Sequence, residues 1–584
     1  MVAANINPSE VLADAGSGGD KEASVEWYDD FLFKDKSFST QLARALAWTY
    51  AQSADIGEVV STARKIKDGD IYSWHEEWLK QAERVYGLAE EWEKNGHAVS
   101  AGEAYFRATT YFQSAGFFMV APQDRTKARY CRQRGRESFL KAIKSYPNIS
   151  FVEIPYENTN LPAYIAKSDK VSGEGPLVIV NTGFDGTAED SFAGVAWAAM
   201  KRGYHCLVFE GPGQGELIME ENLHFRPDWE VVGEAVIDYA LTLPFVDKDR
   251  LAYMGVSMGG YLAPRVAAHD KRIKALIANG GLYRLWESAY ALFPPDQQEL
   301  ILKDPAKFNA IVEEMKQGDV SASWLFDNSL WRFGVKDPAG FMVDQKRYTL
   351  EGVAEKITCP TLITDSVADA MFAGQPQNLY NALKCPKELI VFTRDEAAQA
   401  HCQLGATAIS NEKIFNWLDG VFQPAPKEAM FKIHHIGIVV GDLDEAVANY
   451  CNILGIDPTD ERIERFQGKE NKTAILPVGS DEDYNFFELM EPETDHWMDD
   501  YIKRERLQGF FHLAVLIDNW EAKVQELKAQ GFTLQVEEYE NPFPGCKLLR
   551  EAYVLPKDPS RGVLIDLMDA ENFPESKGGL APAD

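Results

Sequence analysis

The sequence has few basic residues and no long apolar run. It carries 59 Lys and Arg against 90 Asp and Glu, a net charge of −31. A surface of this sign repels phosphates, which argues against a nucleic-acid partner. No run approaches the roughly 18 apolar residues of a membrane span, and no basic start followed by an apolar core opens the chain. We therefore expect no membrane partner and a cytoplasmic location.

Cysteines are also scarce and scattered, with 7 in 584 residues and no CxxC pair. That pattern favours reduced thiols over a disulfide framework. The glycine-rich residues 211–215 match neither a P-loop nor a dinucleotide-binding fingerprint, so we interpret them as a structural turn. The length is sufficient for two or three domains, and the 45% hydrophobic content is typical of a folded protein.

The most informative stretch that is present is Gly255-Val-Ser-Met-Gly259. It follows the apolar run 251–254 and precedes a helical pattern that begins at residue 260. A strand, a GxSxG turn and a helix in this order expose the serine hydroxyl beside a helix N-terminus, which stabilises negative charge. We therefore predict that Ser257 is the nucleophile of a hydrolytic enzyme.

A serine nucleophile needs a base and an orienting acid, in the chain order Ser, Asp or Glu, His for this type of sheet. His401 follows the last predicted strand, residues 388–392, and is the predicted base. Asp369 follows the predicted strand 359–364 and is the predicted acid, with Asp365 as the alternative. The sequence alone leaves that choice open.

The attacked oxygen also needs donors where its negative charge develops. We assign one donor to the backbone N–H of Met258, which follows the nucleophile. The second is expected from the glycine-containing loop 181–187, after the predicted strand 176–180, and we assign it to the N–H of Phe184.

Several stretches between residues 25 and 422 resemble the α/β-hydrolase superfamily. They include the GxSxG turn at residues 255–259, the hairpin 151–164, the loop 183–187 and the surroundings of Asp369 and His401. The resemblance is sharpest to the branch that contains dihydroxypseudooxynicotine hydrolase and the fungal polyketide-shortening hydrolases. Members of that branch cleave a carbon–carbon bond next to a ketone, and esterases and peptidases share the wider fold.

The helical and strand patterns divide the chain into six segments. We predict a flexible N-terminus, a helical N-terminal region, an α/β-hydrolase core, a linker, a second domain and a flexible tail, at residues 1–25, 26–148, 149–422, 423–430, 431–572 and 573–584. Within the core, residues 281–350 are predicted to form a helical cap. Its aromatic residues are Tyr283, Trp286, Tyr290, Phe293, Trp324, Phe326, Trp331 and Phe333. Such a wall suits an apolar or aromatic small-molecule substrate.

An internal repeat occupies the last third of the chain. His435 and His512 open similar strand-like runs 77 residues apart, and each run leads into a helical pattern. Glu488 and Asp566 lie on matching strands, 53 and 54 residues after the two histidines. Such repetition indicates two copies that pack together. Two imidazoles and two carboxylates at equivalent positions suit a divalent metal such as Zn, Mn, Fe, Co or Ni.

Residues 430–572 resemble the vicinal oxygen chelate superfamily, which includes glyoxalase I and methylmalonyl-CoA epimerase. The stretches that carry the resemblance are 435–447, 487–492, 512 and 562–566. It implies an α+β domain of two βαβββ repeats, with His435, Glu488, His512 and Asp566 as metal ligands. The family usually has Glu at the last position, so Asp566 is shorter by one methylene. A metal-free domain in which these four residues are satisfied in the core is the alternative.

Together these patterns predict a serine hydrolase of class α/β joined to an α+β domain. The expected reaction is cleavage of a carbon–carbon bond next to a ketone, or of a related ester, in a polyketide-like or β-dicarbonyl metabolite. The hydrolase needs no cofactor, whereas the metal-binding domain is expected to catalyse a coupled isomerisation or proton transfer. The alternative is an esterase, thioesterase or peptidase whose C-terminal domain is a non-catalytic binding or dimerisation module. A homodimer is compatible with both.

Overall fold

The computed structural model describes residues 26–422 and most of the strands and helices between residues 432 and 569. The described segments of that second part are 432–454, 456–459, 463–467, 471–478, 485–492, 509–517, 520–529, 531–540, 548–555 and 564–569. The chain forms two compact units, Met1–Phe422 and Gln423–Asp584. The predicted flexible ends and the linker lie outside the described residues. Among the described helices, none combines the length and the apolar character needed to cross a bilayer.

The first unit begins with helices that pack around large aromatic side chains. Their bounds are α1 Lys36–Ala47, α2 Ile56–Ala63, α3 Ile71–Lys94, α4 Ala98–Gly116 and α5 Arg125–Ala142. α3 starts after Asp70, whose carboxylate accepts from the N–H groups of Tyr72 and Ser73 and so satisfies two orphan donors. Trp74 and Trp78 on the same helix are fully buried. Burial of this apolar stripe holds the helices against one another.

An eight-stranded sheet follows these helices. Its strands are β1 Ile149–Tyr156, β2 Thr159–Ala166, β3 Gly175–Asn181, β4 His205–Phe209, β5 Val246–Val256, β6 Ala275–Asn279, β7 Thr361–Ser366 and β8 Lys387–Phe392, in the spatial order β1-β2-β4-β3-β5-β6-β7-β8. β1 and β2 form an antiparallel hairpin, and β3 to β8 are parallel to one another. Every residue of β3, β4 and β6 is buried, as expected for strands covered on both faces.

Helices connect and cover the strands. They are α6 Ala188–Ser191, α7 Trp197–Lys201, α8 Gly215–Glu220, α9 Glu230–Ala240, α10 Gly259–His269, α11 Leu285–Tyr290, α12 Pro295–Lys303, α13 Pro305–Gly318, α14 Val320–Phe333, α15 Pro338–Asp344, α16 Gln375–Ala382 and α17 Thr407–Phe422. The five helices α11 to α15 lie between β6 and β7 and form the predicted cap. The predicted α/β-hydrolase fold class is therefore confirmed.

The second unit contains the predicted order strand, helix, three strands, twice. The first copy is β9 Lys432–Val439, α18 Leu443–Leu454, β10 Glu464–Gln467, β11 Asn471–Val478 and β12 Asn485–Pro492. The second copy is β13 Gly509–Ile517, α19 Trp520–Ala529, β14 Thr533–Glu540, β15 Leu548–Leu555 and β16 Leu564–Asp569. The strands of the second sheet are ordered β10-β11-β12-β9-β13-β16-β15-β14. The two copies have the same strand order on either side of the centre, where β9 pairs with β13 and joins them. The predicted two βαβββ repeats are confirmed.

Candidate active site and metal centre

Ser257 lies in a tight turn between β5 and α10. Its φ is +59°, in the left-handed region that non-glycine residues rarely adopt. The Ser257 N–H donates to the carbonyl oxygen of Asn279, at the end of β6, over 2.9 Å. Only glycine is tolerated at 255, because a Cβ there would lie 1.9 Å from the Gly259 carbonyl oxygen. The turn is therefore the strained strand-to-helix elbow that presents a serine hydroxyl.

His401 reaches Ser257 from a loop 144 residues further along the chain. Its Nε2 atom lies 2.8 Å from the Ser257 Oγ, and its Nδ1 atom lies 2.6 Å from Oδ2 of Asp369. A neutral imidazole with its proton on Nδ1 donates to the carboxylate and accepts from the hydroxyl. The structure thus brings all three residues into one hydrogen-bonded chain. Such a chain can move a proton off the serine as it attacks.

Asp369, and not Asp365, contacts the histidine. The other carboxylate oxygen of Asp369 accepts from the N–H groups of Met371 and Phe372, at 3.0 and 3.2 Å. Asp365 belongs to β7 rather than to the loop after it, and its Oδ1 accepts from the N–H of Ser366 at 2.8 Å. The two aspartates are close in sequence, but the strand carries Asp365 out of reach of the imidazole.

The contact between Asp369 and His401 shifts the pKa of both side chains. Burial raises the pKa of Asp369, but the charge of His401 and its hydrogen bond outweigh burial and lower the pKa below its usual value. Burial lowers the pKa of His401, but Asp369 and then Cys402 outweigh it, so the net pKa lies well above 6.5. Each partner therefore favours the charged form of the other.

The two predicted oxyanion donors lie beside the nucleophile. Phe184 and Met258 line the same cavity as Ser257. Within residues 26–422, neither of their N–H groups donates to another protein group. Gly183 lets the loop approach this closely, because a Cβ there would lie 2.8 Å from Cβ of Ser257. Both N–H groups are thus available to a ligand oxygen next to Ser257.

In the second unit, three predicted ligands come together. One nitrogen or carboxylate oxygen of each of His435, Glu488 and His512 lies within 4.8 Å of the other two. The Nε2 atoms of the histidines are 2.9 Å apart, and ligand nitrogens about 2.1 Å from one metal at right angles are separated by about 3 Å. Burial, followed by the charge of His435, lowers the pKa of His512 to about 3, so this imidazole is neutral, as ligation requires. This donor set fits a divalent cation.

Strand register explains the grouping and locates Asp566. Glu488 and His512 both pair with Gly437, on the strands that flank β9. A Cβ at Gly437 would lie 2.2 Å from Cε1 of His512, so the missing side chain makes room for the imidazole. Asp566 pairs with Ala514, at the matching point of the second repeat, and is 1% exposed. Asp566 lies on the same face of the sheet as His435, Glu488 and His512. It does not belong to the group of ligand atoms that lie within 4.8 Å of one another.

Comparison with known proteins agrees with this architecture. Residues 434–549 match the Glyoxalase/Bleomycin resistance protein/Dioxygenase superfamily, and residues 201–311 match the Prolyl oligopeptidase family. Hydrolase LUC6 of Fusarium sp is 33% identical over 411 residues, which cover 67% of this chain and 98% of the relative. The 20-hydroxy-prefusarin hydrolase FUS2 of Gibberella moniliformis is 32% identical, with the same coverage. The chain belongs to the α/β-hydrolase family.

A solved structure supports the same fold for this α/β-hydrolase. The 2,6-dihydroxy-pseudo-oxynicotine hydrolase superposes with a TM-score of 0.52 at 21% identity and covers 64% of this chain and 95% of that chain. The match to the glyoxalase superfamily shows that the hydrolase is fused to a vicinal oxygen chelate domain. The relatives named as hydrolases support a hydrolytic activity for the chain.

Sequence reasoning missed two arginines that contact the loop 181–187, which carries Phe184. Arg44 of α1 donates to Asp185 over 2.9 Å and to Asp190 over 2.7 Å. Arg332 of α14 lies over the Phe184 ring, 5.6 Å from its centroid. Burial lowers the pKa of Arg332 to about 10, which still leaves it charged near neutral pH. The sequence gives no sign of these contacts, because Asp185 and Phe184 are more than 100 residues away from the two arginines.

The hydrolase site opens into a cavity of about 560 Å³ whose accessible surface is mainly apolar. Of the eight aromatic cap residues named from the sequence, Trp324 and Phe333 line it. The others pack elsewhere; Phe293, for example, contacts Phe308 and Phe326. The helical N-terminal region contributes Phe117 and Phe118, which follow α4, and so forms part of the cavity wall. A cavity of this size suits a small organic substrate.

Proposed function

We propose that Ser257, His401 and Asp369 are a catalytic triad that cleaves a carbon–carbon bond next to a ketone in a polyketide-like or β-dicarbonyl metabolite. The observation that carries this proposal is the pair of contacts made by His401, 2.8 Å to the Ser257 oxygen and 2.6 Å to the Asp369 carboxylate. No other hydroxyl in the described part of the chain has this arrangement of base and acid.

The reaction has two stages. His401 takes the Ser257 proton as the oxygen attacks the ketone, and the N–H groups of Phe184 and Met258 hold the oxyanion. When the carbon–carbon bond breaks, its electron pair leaves as an enolate, which takes the proton back from His401. Water, deprotonated by His401, then attacks the acyl-enzyme and releases a carboxylic acid and free Ser257.

Two observations support this substrate class. The cavity wall is mainly apolar, which suits a reduced or aromatic carbon skeleton better than a charged one. Several relatives are fungal hydrolases, and one of them is named for the substrate 20-hydroxy-prefusarin. A β-dicarbonyl group supplies what the first stage needs, since its second carbonyl stabilises the departing carbanion as an enolate.

The experiment compares three probe classes: aryl β-diketones, p-nitrophenyl esters and aminoacyl p-nitroanilides. We expect the β-diketones to have the highest kcat/KM and to yield one acid and one ketone by mass spectrometry. Ser257→Ala should lower turnover at least about 10³-fold. Cys402→Ala is the matched control, because its Sγ also lies near His401 Nε2, at 3.5 Å. Turnover that depends on Cys402 and not on Ser257 would refute the triad.

A peptidase is the second candidate, favoured by the match of residues 201–311 to the Prolyl oligopeptidase family. It makes the opposite prediction for the same panel, with the aminoacyl p-nitroanilides cleaved fastest. An esterase or thioesterase would instead cleave the p-nitrophenyl esters and leave the β-diketones intact.

For the second unit, we propose a divalent metal centre that acts on an enolisable carbonyl compound. His435, His512 and Glu488 would hold the ion, and Asp566 is assigned as the fourth ligand because it shares their face. A bound cation supplies Lewis-acid polarisation of a chelated carbonyl oxygen. The carboxylates of Glu488 and Asp566 are the groups able to take up a proton next to that carbonyl. A binding or dimerisation module without metal is the competing function.

A further inference from the structure

Three polar side chains of the cap line the cavity without a hydrogen-bond partner. They are Ser288 on α11, Ser329 on α14 and Gln345 just after α15. Within residues 26–422, the two hydroxyl oxygens and the Gln345 amide nitrogen make no hydrogen bond. Ser329 is 0% exposed and Gln345 is 1% exposed. They come from three separate elements, and all three residues line the cavity that contains Ser257 and His401.

Buried polar groups without partners are unfavourable, because they lose their hydrogen bonds to water on folding and gain none in return. Three such groups on one cavity wall indicate a surface shaped to meet polar atoms of a ligand. The remaining cap residues of that wall are almost all apolar, including Leu285, Ala289, Leu292, Leu325 and Phe341. Among the cap residues of that wall, Ser321 is the one other residue with a side-chain hydroxyl, and it already contacts the hydroxyl of Ser37.

The chemistry of these groups defines what they can recognise. The Gln345 amide nitrogen only donates, so it requires an acceptor oxygen, while the serine hydroxyls donate or accept. No charged side chain from residues 281–350 lines the cavity. The two basic residues of the wall, Lys36 and Arg44, both come from α1, and Arg44 is already engaged by Asp185 and Asp190. A carboxylate would find no counter-charge on the cap, whereas a neutral hydroxyl or ketone oxygen would find donors.

We propose that Ser288, Ser329 and Gln345 form a subsite that binds a neutral hydroxyl or keto oxygen on the part of the substrate that the cap covers. This proposal rests on the proposed hydrolase function, since it describes the substrate of the same cavity. It restricts the substrate class to apolar carbon skeletons that carry an additional neutral oxygen. Substrates without that oxygen leave the three groups unpaired and are discriminated against.

The test uses p-nitrophenyl esters of linear acids of about six to twelve carbons whose far end carries a methyl, a hydroxyl or a carboxylate group. Binding is measured by calorimetry on Ser257→Ala protein, and turnover is measured on protein with Ser257 intact. We expect the hydroxyl probe of at least one length to bind about 10-fold more tightly than its methyl and carboxylate analogues. Ser329→Ala and Gln345→Leu should each lower that preference several-fold.

The matched control is Ser321→Ala. Ser321 lies on the same helix as Ser329 and lines the same cavity, but its hydroxyl contacts that of Ser37. This variant should leave the hydroxyl preference unchanged. Ser329→Ala should not lower the melting temperature, because it removes a hydroxyl that has no partner.

The outcomes separate this subsite from the proposed function. Equal binding, or no binding, of the three members of every probe set overturns the subsite. So does a preference for hydroxyl that survives in both cap variants, or a preference for carboxylate. A hydroxyl preference in binding, lost in the cap variants but without turnover of any ester or β-diketone, would support the subsite and overturn the proposed hydrolysis.

Discussion

Arg44 Nη1 donates to Oδ2 of Asp185 over 2.9 Å, although 141 residues separate the two side chains in sequence. Asp185 directly follows Phe184, which lines the same cavity as Ser257. Helix α1 thus holds the loop that is expected to stabilise the oxyanion. Burial lowers the pKa of Arg44, but Asp190 and Asp185 more than reverse this, so the arginine stays charged.

We expect Arg44→Ala to lower kcat by about 10- to 100-fold with a smaller effect on KM, because small displacements of a catalytic donor are costly. Arg44→Lys keeps the charge but cannot bridge both carboxylates, so it should be intermediate. The readout is steady-state kinetics with the best probe of the substrate panel. Arg107→Ala is the control, since Arg107 has the same 19% side-chain exposure as Arg44 but pairs with Glu58, in the helical region. An equal loss of kcat in both variants would mean that Arg44 only stabilises the fold.

The second prediction concerns pH. His401 must be neutral to accept the serine proton, and its pKa lies well above 6.5 because Asp369 and Cys402 outweigh the effect of burial. We therefore expect kcat/KM to rise with pH, with its midpoint above 6.5. Asp369→Asn removes the charge that raises the pKa, so the midpoint should move down while activity falls about 10³- to 10⁴-fold. A pH–rate profile that is identical in the two proteins would contradict this role of Asp369.

The stability that the Asp369–His401 pair contributes to the fold should instead decrease as pH rises. A pKa raised by folding contributes stability that is fully present below the unfolded-state value, about 6.5, and is lost as pH rises through the folded value. The difference in melting temperature between the wild type and Asp369→Asn should therefore be largest below pH 6.5 and should shrink at higher pH. Differential scanning calorimetry across this range provides the measurement.

The third prediction concerns metal binding by the second unit. Glu488→Gln should weaken binding of a divalent metal at least about 10-fold, because it removes the charged carboxylate ligand beside His435 and His512. Metal content after purification, measured by elemental analysis, and titration of chelator-treated protein give the affinity. Glu491→Gln is the control, since Glu491 lies on the same strand and pairs with Lys472 at 2.9 Å. Asp566→Asn should also weaken binding, and unchanged affinity there would remove Asp566 from the ligand set.

The fourth prediction concerns a buried charge cluster that attaches α5 to the sheet. Arg132 lies 2.8 Å from Glu189 and 2.7 Å from Glu210, and the two carboxylates are 2% and 0% exposed. Arg132→Ala leaves both carboxylates buried without their cation and should cost about 3–5 kcal/mol. The exposed Arg129, on the same helix, lies 3.6 Å from Glu220, and Arg129→Ala should cost about 0–1 kcal/mol. Urea unfolding followed by tryptophan fluorescence gives the two values.

Local sequence was sufficient for several parts of the site. Residues 255–259 contain everything that the elbow needs, because the small residues and the flanking strand and helix are contiguous. The histidines and carboxylates of the second unit were found from their repeated spacing, and the sheet then placed three of them within 4.8 Å of one another. Both signals are short-range or periodic, and such signals can be read without coordinates.

Other parts of the site depended on distant packing. The sequence left Asp365 and Asp369 as alternatives, and the length of β7 separated them. The cap aromatics were read as a substrate wall, yet most of them pack into the core, because hydrophobic character does not say which neighbour a side chain meets. The sequence cannot show that Ser329 and Gln345 lack hydrogen-bond partners, because this depends on which groups the surrounding helices place next to them.

The order of residues by itself determined the fold class, the candidate nucleophile with its candidate base, and the duplicated unit with its candidate ligands. Turn chemistry, strand patterns and repeats are set by neighbours in the chain. Tertiary structure alone decided which aspartate orients His401, which arginine holds the oxyanion loop and which cap residues face the cavity. These depend on how segments that are distant in sequence are packed, and polar side chains acquire a role only when packing brings a partner within hydrogen-bond distance.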